Sequence, residues 1–413
     1  MRISMIANLL SLGSFALAAS KCKTRSITEK IEVLDPIHFK DLGAERLKVR
    51  YGPFLVPGVH DPETMGMKNF EGPLEVPCTD CYITNFHAGL EFQDGSVANA
   101  DTGMWLHHTL LVDFSEPDVT CDEAPARLFA SGNERTVLDI SNNGTRNVGV
   151  YFSPNANITH TTELMNESAL PRAAFLTIDY EFVLASDKSA AASFRAVTPV
   201  WIDIAGLCSN AEYNVTLDEP VFDAEIVWES TISGEMLSVM GHLHDGGVRQ
   251  DVGVNGEVLC EHVARYGESA GFITHVGMYG DEDAEGQEGG HDHGDGSHSH
   301  DEGEAGHDHG EEGEPNHDHG EGEGEAGHEH GEEEDGHSDE GHDHGTDGHI
   351  LHISSMSSCK NLGSIKPGDE LSIKAYYNLT QHTPMAGHHG GLEPVMGITM
   401  VYVLEDESEE SEA

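Results

Sequence analysis

The chain has 413 residues, room for two or three domains, with 37% hydrophobic residues and a formal net charge of −53. A field of that sign repels phosphate backbones and anionic lipid, so nucleic acid and acidic membrane surfaces are excluded as partners and metal cations are favoured.

Residues 1–20 read as a secretory signal peptide. Arg2 supplies the positive start, an apolar stretch covers 6–17, and Ala16, Ala18, Ala19 and Ser20 offer a cleavage site. The stretch is short and broken by Asn8, Ser11 and Ser14; a buried first strand is the other reading. No later segment has about 18 consecutive apolar residues, so no membrane span is expected. Two further features point to export. Sequons stand at Asn143, Asn157, Asn166, Asn214 and Asn378. Seven cysteines remain after cleavage: Cys22, Cys78, Cys81, Cys121, Cys208, Cys260 and Cys359. In an oxidising compartment most should pair, with one left over. Cys78-Thr-Asp-Cys81 has the spacing of a redox motif or half a zinc site. No second such pair follows and no βαβ pattern surrounds it, so disulfides to other cysteines are expected there. The expected location is extracellular, the cell wall included.

Short alternating or apolar runs recur along the chain between turn signals. They cover 109–114, 174–183, 197–204, 223–228, 371–377 and 397–404, separated by Asp94-Gly, Asn143-Gly, Asp245-Gly-Gly and Asn255-Gly. No stretch carries a sustained helical period with caps. The expected fold is all-β: two tandem antiparallel jelly-roll β-sandwich domains, 21–208 and 209–404, followed by an acidic tail, 405–413. Between 280 and 348 the composition changes to 27 Asp plus Glu, many His and Gly, and no Lys or Arg. Such a segment buries too little apolar surface to offset its ordering entropy and is expected to be a disordered insertion in the second domain. Its repeated His-Asp-His-Gly at 291, 307, 317 and 342 and its His-Glu-His at 328 have a metal-binding composition, suited to zinc or copper. A solvated acidic loop is the plainer alternative.

Two histidine groupings lie outside the insertion. His242 and His244 sit at i and i+2, the same side of a strand, where two imidazoles can converge on one ion. The alternative is a pair of surface histidines. His107 and His108 are adjacent, so joint ligation needs a bulge or strand end; otherwise one is core and one surface. Met396 enters the last strand, preceded by His382, Met385, His388 and His389 in a Gly-rich loop. A methionine thioether selects Cu(I) over zinc, although a methionine there is more often core.

His107-His108-Thr-Leu-Leu, then His242-Leu-His244, then Met396-Gly-Ile-Thr-Met, in this order, resemble the copper type II, ascorbate-dependent monooxygenases, the peptidylglycine and dopamine hydroxylating enzymes. The resemblance covers most of 75–404. A closer likeness is to the stress-up-regulated nodulin-like family and its fungal relatives, through His242-Leu-His-Asp-Gly-Gly, Gly256-Glu-Val-Leu-Cys260, Ser357-Ser-Cys359, Ile365-Lys-Pro-Gly-Asp369 and Val395-Met-Gly-Ile398. That likeness implies a Cys260–Cys359 bridge bracketing the insertion. The monooxygenase resemblance implies up to two copper ions. One, on His242, His244 and Met396, would bind O₂ and abstract hydrogen from a C–H bond. The other, on His107 and His108, would pass an electron reloaded by ascorbate. The pattern departs at Asp179, which stands where a third histidine for the first copper is expected; His160 or His87 could substitute. Two functions follow: a copper oxidoreductase acting on a small-molecule or peptide substrate, or a non-enzymatic metal-binding and buffering protein on the same scaffold. A cell-wall or interaction protein whose sites are relics is a third.

Overall fold

The computed structural model describes residues 28–186, 192–275, 349–385 and 392–407. The segment 1–20 expected to be a signal peptide, Cys22, the segment 280–348, His388 and His389, and residues 408–413 lie outside the described residues. Among those described there is no α-helix, only strands and three short 3-10 turns. Among the described residues no helix is long and apolar enough to cross a membrane.

The strands form two pairs of sheets and a separate two-stranded ribbon. In the first pair, a seven-stranded sheet runs Thr28–Leu34, Glu45–Val56, Arg172–Leu184, Cys81–Glu91, Val148–Phe152, Arg195–Ala196, with Leu138–Asp139 beside Cys81–Glu91. It packs on a four-stranded sheet of Met67–Pro73, Ile158–Asn166, Met104–Pro117 and Pro125–Gly132. In the second pair, a four-stranded sheet of Thr198–Asp203, Gly397–Glu405, Gly234–Leu243 and Cys359–Ile365 packs on a five-stranded one that includes Gly247–Val254 and Glu257–Tyr266. All pairings are antiparallel except the short one between Arg195–Ala196 and Val148–Phe152. A two-residue Asn255-Gly256 loop, with φ of 52° and 82°, joins Gly247–Val254 to Glu257–Tyr266. Both residues are left-handed, as the favoured tight hairpin turn demands.

One sheet decides the architecture. Gly397–Glu405 is Gly-Ile-Thr-Met-Val-Tyr-Val-Leu-Glu, buried at all but its last position. Its odd residues Val401 and Val403 face the second sandwich's core, while Ile398, Met400, Tyr402 and Leu404 face the core of the first. A strand covered on both faces needs a continuous apolar run instead of alternation. The two sandwiches are therefore welded through this sheet. Arg127 adds a buried ion pair to Asp118, a bond to Leu207 O and a place against the Trp201 ring, and Cys121–Cys208 crosslinks the same region.

Three expectations change. The strand Thr198–Asp203 pairs with Gly397–Glu405, so by hydrogen bonding it belongs to the second pair of sheets, although sequence places it before the domain boundary. Cys78 and Cys81 bond to each other, because Asp80, at φ 56°, folds the chain back on itself and brings the two Cα atoms to 6.2 Å. Asn166 is fully buried, and its Nδ2 donates to the carbonyls of Val56, Pro57 and Leu170, so the folded chain has no room for a glycan there. Asn143, Asn157 and Asn214 are exposed and Asn378 half-buried. The Cys260–Cys359 bridge implied by the family likeness is present.

Candidate metal centre

The strand Met104–Pro117 carries His107 and His108. Its pairing with Ile158–Asn166 slips between Leu106 and His108, so that Leu106 faces Leu164 and His108 faces Glu163. This is the bulge that adjacent histidines need if they are to serve one site. Both turn to a single carboxylate oxygen: His107 Nδ1 lies 2.7 Å and His108 Nε2 3.0 Å from Glu163 Oε2. Burial pushes the Glu163 carboxyl up, but the two imidazoles outweigh it and hold it well below the usual carboxylate range.

His242 is the penultimate residue of the strand Gly234–Leu243, and His244 follows the end of that strand. Their ring centroids are 5.4 Å apart. Each is anchored through Nδ1. His242 Nδ1 stands 3.1 and 3.2 Å from the two Glu134 carboxylate oxygens, and His244 Nδ1 donates to the carbonyl of Pro394 at 3.1 Å. A carbonyl only accepts, which places the His244 hydrogen on Nδ1 and leaves Nε2 with a free lone pair. Both Nε2 atoms are buried with no hydrogen-bond partner among the described residues. Buried polar atoms are rarely left so. Gly132 makes the space: a Cβ there would stand 2.2 Å from His242 Cε1. Burial lowers the pKa of His244 well below its ordinary value, and the neighbouring imidazoles push the same way. Burial also opposes charge on His242, but Glu134 prevails and its pKa is raised.

The two groupings meet across the sandwiches. The rings of His107 and His244 lie 4.5 Å apart, those of His107 and His108 5.1 Å, and those of His108 and His244 6.3 Å. His107, His242 and His244 line one cleft, walled also by Trp105, Asn133 and Met385. Met396 lies across the strand pair from His244, whose N–H bonds to Met396 O at 3.1 Å. Its side chain packs in the apolar cluster with Met240 and Ile398, and the methionine among the residues that line the cleft is Met385.

A carboxylate, not a third histidine, completes the His107–His108 group. Asp179 lies on the opposite sheet, bonded to Arg46 at 3.0 Å and paired in register with His87. His160 is buried against Phe54 and bonds Thr162 Oγ1 at 2.8 Å. Neither His87 nor His160 substitutes. Cys260, His262 and Cys359 also cluster, but the disulfide occupies both sulfurs. Sequence reading passed over Glu134 and Glu163, which no local motif flags. It also passed over His352, wedged between Asp245 Oδ2 at 2.6 Å and Thr274 Oγ1 at 3.0 Å, with its ring against Trp105.

Three imidazoles with anchored Nδ1 atoms around one cleft, on a scaffold of paired β-sheets, offer nitrogen donors of the kind that could hold a borderline metal ion. No family model matches the chain. It is similar to "Probable copper-dependent oxygenase M1" of a Phoma species, 27% identical over 375 residues that cover 90% of this chain and 76% of that protein. It is also similar to "Probable copper-dependent oxygenase clz3" of Cochliobolus lunatus, 26% identical over 320 residues, 77% of each chain. Among solved structures, PNGF-II superimposes with a TM-score of 0.34 and 7% identity, and the chain spans 66% of that protein's length. A superposition that loose carries no argument.

Proposed function

We propose that this chain is a copper-dependent oxidoreductase whose metal is held in one compact centre by His107, His242 and His244. The observation that carries the reading is the pair of buried, unpartnered Nε2 atoms on His242 and His244, each fixed by a bond at Nδ1. A ring nitrogen held by a carboxylate or carbonyl while its mate faces a cavity is the usual support of a ligating histidine. His107, held through Nδ1 by Glu163, presents the third ring to the same cleft. His108, 3.0 Å from the same carboxylate oxygen, is placed to fix that carboxylate. The two relatives' names support copper over zinc for this donor set, and nitrogen donors suit both.

Copper bound there would supply one-electron redox chemistry and O₂ activation. The chain supplies the rest. Glu134, Glu163 and Pro394 orient the imidazoles, and the cleft beside Trp105 and Met385 receives a small organic substrate or peptide side chain. The signal-peptide pattern and three disulfides support secretion. The His- and carboxylate-rich composition of 280–348 supports a second reading, an extracellular buffer of zinc or copper. The two part in one experiment. With copper, ascorbate and air, the oxidoreductase consumes O₂ at a rate that H244A abolishes. Uptake unchanged in H244A would assign the copper to the insertion and leave the buffer reading.

A further inference from the structure

A second pair of histidines lies outside the cleft. The strands Ile273–His275 and His349–Leu351 form a two-stranded ribbon of three residue pairs, and its last pair sets His275 directly opposite His349. In sequence the two stand on either side of residues 276–348. Directly opposed residues on antiparallel strands project from the same face. Here the two Nδ1 atoms share a hydrogen bond of 2.7 Å, the proton of which a cation would displace, with ring centroids 4.5 Å apart. His349 is exposed and His275 half-exposed.

Two nitrogens bound to one Cu²⁺ or Zn²⁺ at about 2.0–2.1 Å stand roughly 2.9–3.3 Å apart for bond angles between square and tetrahedral. The observed 2.7 Å falls a few tenths of an ångström short, which a small ring rotation recovers. A three-pair ribbon is marginal by its own hydrogen bonds. A crosslink at its last pair adds most where the ribbon is weakest.

We propose that His275 and His349 form a bis-imidazole site for a borderline divalent cation, Cu²⁺ or Zn²⁺, separate from the cleft. Two protein ligands leave the remaining coordination positions to water. The site is therefore exchangeable, and its metal pins together the two strands from which residues 276–348 depart.

The test is amide hydrogen exchange of the full-length chain, read by mass spectrometry with and without Zn²⁺. With Zn²⁺ at about ten times its dissociation constant, exchange over Ile273–His275 and His349–Leu351 slows about tenfold. H349A removes the slowing, and H317A/H319A, altered within the insertion, keeps it. Should H349A loosen the ribbon even without metal, H349C, which restores a ligand, regains the slowing. No slowing in the natural chain, or slowing that persists in H349A, overturns the site.

Discussion

At the scale of single residues, the centre depends on groups that touch no cleft ligand atom. Glu134 holds His242 through Nδ1 and also accepts the Gly132 N–H, so its carboxylate fixes both the ring and the glycine that makes room for it. Glu134→Gln keeps the shape and removes the charge. Copper affinity, measured by competition with a chelator, is expected to fall about 10–100-fold, the usual cost of losing such a support. An unchanged affinity would mean that His242 does not ligate. His160 provides a pH prediction away from the cleft. Burial pulls its pKa from 6.5 to about 4, so the folded chain keeps it neutral where the unfolded chain protonates. That stability is fully present above pH 6.5 and is lost as pH falls through about 4, an upper bound of about 3 kcal/mol at 1.36 kcal/mol per unit. Urea unfolding at pH 7 and pH 4 should show a smaller acid loss in His160→Gln than in the natural chain. Equal losses would count against a neutral, buried His160.

At the scale of elements, the strands were legible because their signals are local. Five of the six runs read as strands from sequence fall within one, the run 197–204 overruns Thr198–Asp203 by one residue at each end, and Asn255-Gly256 makes the tight turn its composition demands. The need for a bulge at His107-His108 was also legible, since neighbours on a strand point apart. What that bulge faces was not. Glu163 meets the pair through the register of Ile158–Asn166, set by pairing across some fifty residues of chain. Glu134 reaches His242 over a separation of 108 residues. The choice between Met385 and Met396 escaped sequence for the same reason. Both precede the final strand, and packing alone puts Met396 in the apolar cluster and Met385 at the cleft. The Cys260–Cys359 bridge closes a separation of 99 residues around the insertion. A closure of that length constrains the unfolded chain by about 4.7 kcal/mol in the chain-entropy account. C260A/C359A should lose about 2–5 kcal/mol in denaturant unfolding. A loss well under 1 kcal/mol would mean that the strands flanking the insertion hold without it.

At the scale of the whole molecule, the centre exists because one sheet buries both faces. His242 and His244 extend from that sheet toward the first sandwich, where the bulged strand presents His107. The resemblance implied two separated copper sites, one on each domain. The structure puts their histidines in a single contact cluster, with His107 and His244 ring to ring. This follows from burying Met240, Ile398, Met400 and Tyr402 against the first core, which closes the gap between sandwiches. The most direct test is electron paramagnetic resonance of the copper that survives dialysis against a chelator, in the natural chain, H107A and H244A. One compact centre predicts a single signal with several imidazole couplings, lost in either variant. Two signals, of which H107A removes one and H244A the other, would contradict it and restore two independent sites.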